Sequence, residues 1–305
     1  MEKRIVHRII EYIFFSNFFM GIMALALNIE TNIRSHLPLN RIDYYIFTTA
    51  ITILFYLFAY RVPKSVLNSS NPRIDFYVKH RKFIRFFTIA LYVISIFSGL
   101  SICIKSYHNL LQLGWFHYFI LTITFILSTS YYNWRFGLSL RKYTWFKPTL
   151  IAWTWAVTTV YFPLLILQLV NHSLVVLDFN FYFLFIQTFM YFIVNAIMFD
   201  MKDYEDDYNR NLKTFVVKYG YFETLNQIIF PLIVLGFLGY IIYGFLLQLS
   251  FISVLLLEIP VLLLALFAYM LNHKKSILFY LIAIDGMIVL KAFFGILSTL
   301  LMNKL

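Results

Sequence analysis

Five of the fourteen acidic residues fall within eight positions: Asp200, Asp203, Glu205, Asp206 and Asp207. On a continuous helix, positions i, i+3 and i+7 lie within about 60° of one another. Asp200, Asp203 and Asp207 would then share one face, with Glu205 pointing away. Acids at the C-terminal end of a helix oppose its macrodipole by about 0.3–1 kcal/mol each, and like charges three and four apart repel. A divalent cation would reverse both penalties. Carboxylate oxygens suit Mg2+, which is typically held by about one or two carboxylates together with substrate phosphates. A solvated acidic loop accounts for the same run, and the spacing by itself leaves both readings open.

The elements that must position these acids follow from composition. The chain has 305 residues, 61% hydrophobic, 21% aromatic and 13% charged, with mean hydropathy +0.77. A soluble domain carries about 25% charged residues, and one globule of this size cannot hide so much apolar surface. Disorder is excluded by the same apolar content. The expectation is an all-α integral membrane protein. Spans need roughly 20 apolar residues, and nine stretches qualify: 9–28, 44–60, 84–104, 116–132, 149–170, 179–198, 225–247, 249–271 and 277–302. The seventh and eighth are divided around Leu247–Ser250. No soluble domain fits the remaining loops, so residues 1–305 read as a single domain. Lys3 and Arg4 precede the first stretch and Ala24-Leu25-Ala26 has the small-residue form of a cleavage site. The stretch is longer than the about 7–15 residues of a signal h-region, and a retained helix is expected.

Twenty of the 25 Lys and Arg fall at the N-terminus and in alternate loops, seven of them from Arg61 to Arg85 around the second loop. The other set holds Arg34, Arg41, Lys105 and Lys304, and Lys291 lies inside a helix. Cytoplasmic loops carry the positive excess. The N-terminus is therefore expected inside, the C-terminus outside, and the acidic cluster after the sixth helix on the cytoplasmic side. The net charge of +11 is accounted for by topology, without nucleic acid as a partner. The single Cys103 permits neither an internal disulfide nor a cysteine metal site, and there is no P-loop, G-x-G-x-x-G or H-E-x-x-H. Three charges, Glu258, Asp285 and Lys291, sit within later helices, where each costs roughly 2.5–3.5 kcal/mol and needs a partner. Asp285 and Lys291 are about 120° apart around a helix and about 9 Å along it, so each is expected to pair elsewhere. Interhelical pins or substrate contacts both fit them. Glu258 precedes Pro260, a kink position. No internal repeat of the kind common in transporters is present.

The stretch Asp200-Met-Lys-Asp203-Tyr-Glu205-Asp-Asp207, followed by Asn211, Lys213-Thr214, Val217-Lys218 and Gly220, resembles the second aspartate-rich motif of the UbiA-type prenyltransferase superfamily. That motif runs D-x-x-D-x-E-x-D, a glycine, then K/R-T-L-x-V-R-x-G. Asn211 stands where the family usually has glycine; asparagine tolerates left-handed backbone better than most residues. Tyr143-Thr144-Trp-Phe-Lys147-Pro-Thr149 is similar to the family's Y-T-x-x-K-R-x-T segment, with Pro148 in place of arginine.

The resemblance implies nine transmembrane helices with both aspartate motifs in cytoplasmic loops. It implies Mg2+ as cofactor, a polyprenyl diphosphate donor and an aromatic or other lipophilic acceptor among membrane lipids. Asp200, Asp203 and Asp207 would bind metal and Lys147 the diphosphate. Arg73, near Asn71-Pro72, joins them as a diphosphate contact on its loop position alone. The departure is the first motif, N-D-x-x-D-x-x-x-D, where this chain offers only Asp75. That loss keeps an alternative in view: a catalytically inactive member that binds isoprenoid or lipid, or acts as a scaffold.

Overall fold

The computed structural model describes residues 2–59, 72–130, 144–171, 177–209, 212–273 and 275–302, with the side chains of 2–7, 59, 130, 171 and 206 left out. Tyr143, Asn71 and Asn211 lie outside the described residues. Every regular element among those described is a helix: α1 (Glu2–Phe15), α2 (Phe18–Arg34), α3 (Ile42–Ala59), α4 (Pro72–Lys79), α5 (Arg81–Leu111), α6 (Trp115–Ser130), α7 (Phe146–Val170), α8 (Phe179–Lys202), α9 (Tyr204–Asn209), α10 (Phe215–Tyr219), α11 (Tyr221–Leu246), α12 (Phe251–Met270) and α13 (Ile277–Met302).

Six of these helices, α5, α7, α8, α11, α12 and α13, are long and apolar enough to cross a membrane, and a bent pair, α1 with α2, makes up to seven. The apolar parts of α3 and α6, Ile42–Phe58 and Trp115–Thr129, are shorter. The chain is a multi-pass integral membrane protein. The first stretch departs from the sequence reading, which runs one helix through 9–28. Here the chain bends by 65° between α1 and α2. Asn17 takes a left-handed backbone at φ 61°, tolerable for asparagine, and its buried amide donates to Tyr77 Oη at 2.8 Å.

The division between α11 and α12 has a local cause. Gln248 adopts φ 51°, Leu249 N–H donates to Gly244 O at 2.8 Å and Gln248 N–H to Phe245 O at 3.2 Å. That is the paired bonding of a Schellman stop. Ser250 then caps α12 by accepting from Ser253 N–H. His36, at φ 53°, ends α2 in the same way, with Leu37 N–H on Asn32 O.

The chain packs as two units. Residues 1–26 and 40–111 form one, and 27–39 with 112–305 form the other. In the first, α3 lies along α5, and Gly21 lets α2 close on α3, where a Cβ would meet Ile53 Cδ1 at 2.7 Å. In the second, α7 packs on α8 and α12 on α13. Two helices of this unit carry a π turn just before a proline: 157–161 precedes Pro163 in α7, and 224–229 precedes Pro231 in α11. Proline lacks the N–H that would bond the carbonyl four residues back. In α7 that carbonyl is Thr159 O, and the Thr31 hydroxyl donates to it at 2.7 Å.

Candidate functional site

The acidic segment does not run on as one helix. α8 ends at Lys202, and Asp203 leaves helical geometry at φ −93°, ψ 10° while its N–H still reaches Asp200 O. The chain restarts as α9, and Asp207 N–H donates to Asp203 O at 2.8 Å. The expectation of a three-aspartate face on a continuous helix is corrected by this break. Clustered carboxylates at a negative helix end oppose continuation, and the break separates Asp203 from its neighbours in the ladder. Asp203 pairs with Lys202 and keeps 37% of its side chain exposed.

Asp200 and Asp207 turn inward instead, at 2% and 1% exposure. Between them stands Lys147, from the first turn of α7. Its Nζ lies 2.5 Å from Asp200 Oδ1 and 3.1 Å from Asp207 Oδ2. The lysine is itself 5% exposed. Buried charges persist only when paired, and this trio pairs two anions with one cation, leaving an excess negative charge. Asp200 Oδ2 has no hydrogen-bond partner among the described residues. The Trp145 ring, two residues before Lys147, stands edge-on to Phe215 with centroids 4.5 Å apart. This contact ties the start of α7 to α10, in the segment that follows the aspartates.

The remainder of that segment is shaped by Gly220. Its φ of 90° belongs to glycine, and a Cβ there would meet Glu223 Oε2 at 2.8 Å. It ends α10, and its carbonyl accepts from the Thr224 hydroxyl at 2.7 Å. Thr214 is buried, with its hydroxyl oxygen unpartnered among the described residues.

Among the described residues no group of three His, Cys, Asp or Glu side chains is arranged to hold a metal ion. The donor set still fits Mg2+ in its usual partial form, one or two carboxylates completed by phosphate oxygens. Asp200 and Asp207 supply the carboxylates, and the orphaned Asp200 Oδ2 is an open ligand position.

The other residues singled out from sequence have their own surroundings. Arg73, on α4 in the first unit, is 4% exposed; its Nη2 donates to Phe14 O at 3.4 Å, and it stands over the Phe15 ring. Lys291 on α13 meets Glu30 of α2 at 2.9 and 3.1 Å, both residues being 1% exposed. Arg34 adds a contact to Glu30 at 3.3 Å and donates to Gln187 Oε1 at 3.2 Å. Asp285, 3% exposed, opens the last α-helical segment of α13. Glu258 on α12 is 4% exposed. Sequence reasoning passed over Glu30, placing it beyond the first stretch. The signal was present: Glu30 and Arg34 stand four apart, the spacing of a helical ion pair.

No protein-family model matches the chain, and no curated protein matches it. Among solved structures it is similar to a UbiA homolog from Archaeoglobus fulgidus bound to GPP and Mg2+, with 12% identity, coverage of 96% of this chain and 97% of that one, and a TM-score of 0.46. So loose a likeness adds no weight to what the residues themselves show.

Proposed function

We propose that this chain is a membrane-embedded prenyltransferase-like protein that binds a polyprenyl diphosphate at Lys147, Asp200 and Asp207 and passes the prenyl group to an aromatic or other lipophilic acceptor. The observation that carries this reading is the meeting of two segments sixty residues apart, each matching a motif of the same superfamily, through one buried lysine. Asp200 and Asp207 would hold Mg2+, with Asp203 at their edge. Bound there, the ion would neutralise charge developing on the leaving diphosphate. Lys147 donates to a phosphate oxygen in place of one carboxylate, and its stem, buried with Pro148 and Leu150, keeps the ammonium aimed at the site. In the transfer, the allylic C–O bond to diphosphate breaks. A nucleophilic atom of the acceptor bonds to the prenyl carbon and gives up its proton.

On this reading the nine apolar stretches are nine spans of one UbiA-like domain with a cytoplasmic N-terminus, and the site opens on the cytoplasmic side where the basic loops lie. Arg73 donates to the Phe14 carbonyl, and its part in diphosphate binding rests on loop position alone. The absence of the first aspartate motif favours a second reading, in which the protein binds an isoprenoid or lipid, or acts as a scaffold, without transfer.

Incubation of the purified full chain with labelled farnesyl diphosphate, Mg2+ and a membrane lipid extract tests the proposal. Label is expected in a lipid product with an equal amount of diphosphate released, and Asp207→Asn should abolish both. Binding without movement of label would select the second reading.

A further inference from the structure

In the second unit, a cavity of about 270 Å3 lies between α8, α11 and α12, lined by Gln187, Tyr191, Gly236, Gly239, Tyr240 and Val261 among others. It is smaller than the roughly 300–1,000 Å3 of ordinary ligand pockets, a size for a compact molecule or for one end of a longer one. Gln187 is thirteen residues from Asp200, about 20 Å along α8, so this cavity is separate from the Lys147 trio.

Gln187 lines this cavity, Glu258 stands one turn of α12 before the lining residue Val261, and both keep polar atoms unpartnered among the described residues. Gln187 accepts from Arg34 through Oε1, while its buried Nε2 has no partner among the described residues. Glu258, one helical turn from the lining residue Val261, is 4% exposed, and neither of its carboxyl oxygens has a hydrogen-bond partner among the described residues. Tyr240 is within electrostatic range of both Arg34 and Glu258. Among the described residues no ion pair joins Glu258 to a cation. Lys291 and Arg34 are committed to Glu30.

The depth of Glu258 follows from the pairing of α12 with α13. Ser298 donates to Ser253 O at 3.0 Å. Antiparallel register then sets Glu258 level with the turn of Lys291 and Phe293, about 7.5 Å further along. A carboxyl at such depth with no partner among the described residues has given up its hydrogen bonds to water whether or not it is ionised, a loss that a ligand's hydroxyl offsets.

We propose that this cavity binds a small lipophilic molecule bearing one hydroxyl group, an alcohol or a phenol, with Glu258 and Gln187 Nε2 as its polar anchors. A hydroxyl both donates and accepts. It can donate to a carboxyl oxygen of Glu258 while accepting from the Gln187 amide, and its apolar body fills the space left by Gly236 and Gly239, where an added Cβ meets nothing within 4 Å. The site stands independently of the prenyl-transfer reading, and neither depends on the other's outcome.

The test uses the full chain in nanodiscs with a photoreactive, diazirine-bearing decanol as probe, the labelled peptides being mapped by mass spectrometry. Labelling is expected to saturate and to map to α8, α11 or α12. Decanol should displace it and decyl methyl ether should do so at least about tenfold less well, since a site built to bond a hydroxyl rejects an analogue without one. A para-alkylphenol as competitor distinguishes the two hydroxyl classes: displacement tighter than decanol's assigns a phenol, weaker an alcohol. Glu258→Leu should lower labelling at least tenfold. Gly239→Leu, which fills the cavity and leaves both anchors in place, should do the same, so the outcome does not hang on one variant's folding. Labelling that is unsaturable, spread over all the apolar helices, equally displaced by the ether, or unchanged in both variants would overturn the proposal.

Discussion

The second unit holds two buried ion clusters of opposite balance. At the end of α8, two aspartates share one lysine, Lys147 lying 2.5 Å from Asp200 and 3.1 Å from Asp207. Between α2 and α13, one glutamate is shared by two cations, Lys291 at 2.9 Å and Arg34 at 3.3 Å. Glu30 is saturated: both oxygens receive the Lys291 ammonium, and Arg34 is secured in turn by Gln187. Asp200 keeps an oxygen without a partner among the described residues. A cluster with every group satisfied fastens helices together, whereas the excess charge and open oxygen of the other are what the proposed diphosphate and Mg2+ site requires. Only the latter lies in the segments that resemble a known motif.

That contrast can be broken experimentally. The largest effect is expected at the fastening cluster. Glu30→Gln leaves two adjacent cations buried without an anion and should cost about 3–5 kcal/mol, the usual penalty for breaking a buried pair, read as a steep fall in the thermal unfolding midpoint. Magnesium should not restore it. Lys147→Met leaves Asp200 and Asp207 facing each other and should cost somewhat less, about 2–4 kcal/mol. Here added Mg2+ should recover much of the midpoint, because the ion takes the ammonium's place. Equal responses of the two variants to Mg2+ would erase the distinction.

Smaller effects sharpen it. A Cβ at Gly295 would run into the Glu30 carboxylate. Gly295→Ala should therefore cost about 1–3 kcal/mol by overpacking, measured by the same unfolding assay. Asp200→Asn removes the excess charge and keeps the shape. Its stability should stay within about 1 kcal/mol of the parent, even as Mg2+ ceases to raise the unfolding midpoint.

Much of the helical plan is legible in the chain, because apolar runs of spanning length leave few alternatives. The described part of each of the nine stretches falls on a helix or on a bent pair of helices, and the division at Leu247–Ser250 coincides with the Schellman stop at Gln248. What escapes the pattern is local backbone choice. The bend at Asn17 depends on a left-handed residue and an amide bond to Tyr77, sixty positions away, and hydropathy carries no trace of either. At the site, Lys147 and the aspartates stand out by residue type and motif spacing. Their meeting does not, since helical periodicity treats Asp203 as equivalent to its neighbours when tertiary pairing draws only Asp200 and Asp207 inward. Glu30 escaped because a charge near the end of an apolar run reads as a loop residue until its partner on α13 is known.

The central claim is that the lysine-bridged aspartates are a diphosphate site. Its most direct test is the affinity of the detergent-purified full chain for labelled farnesyl diphosphate, with and without Mg2+, beside Asp200→Asn and Asp207→Asn. Saturable binding that requires Mg2+ and falls at least tenfold in both variants is the expected result. No binding, or binding indifferent to the metal and to both substitutions, would contradict it.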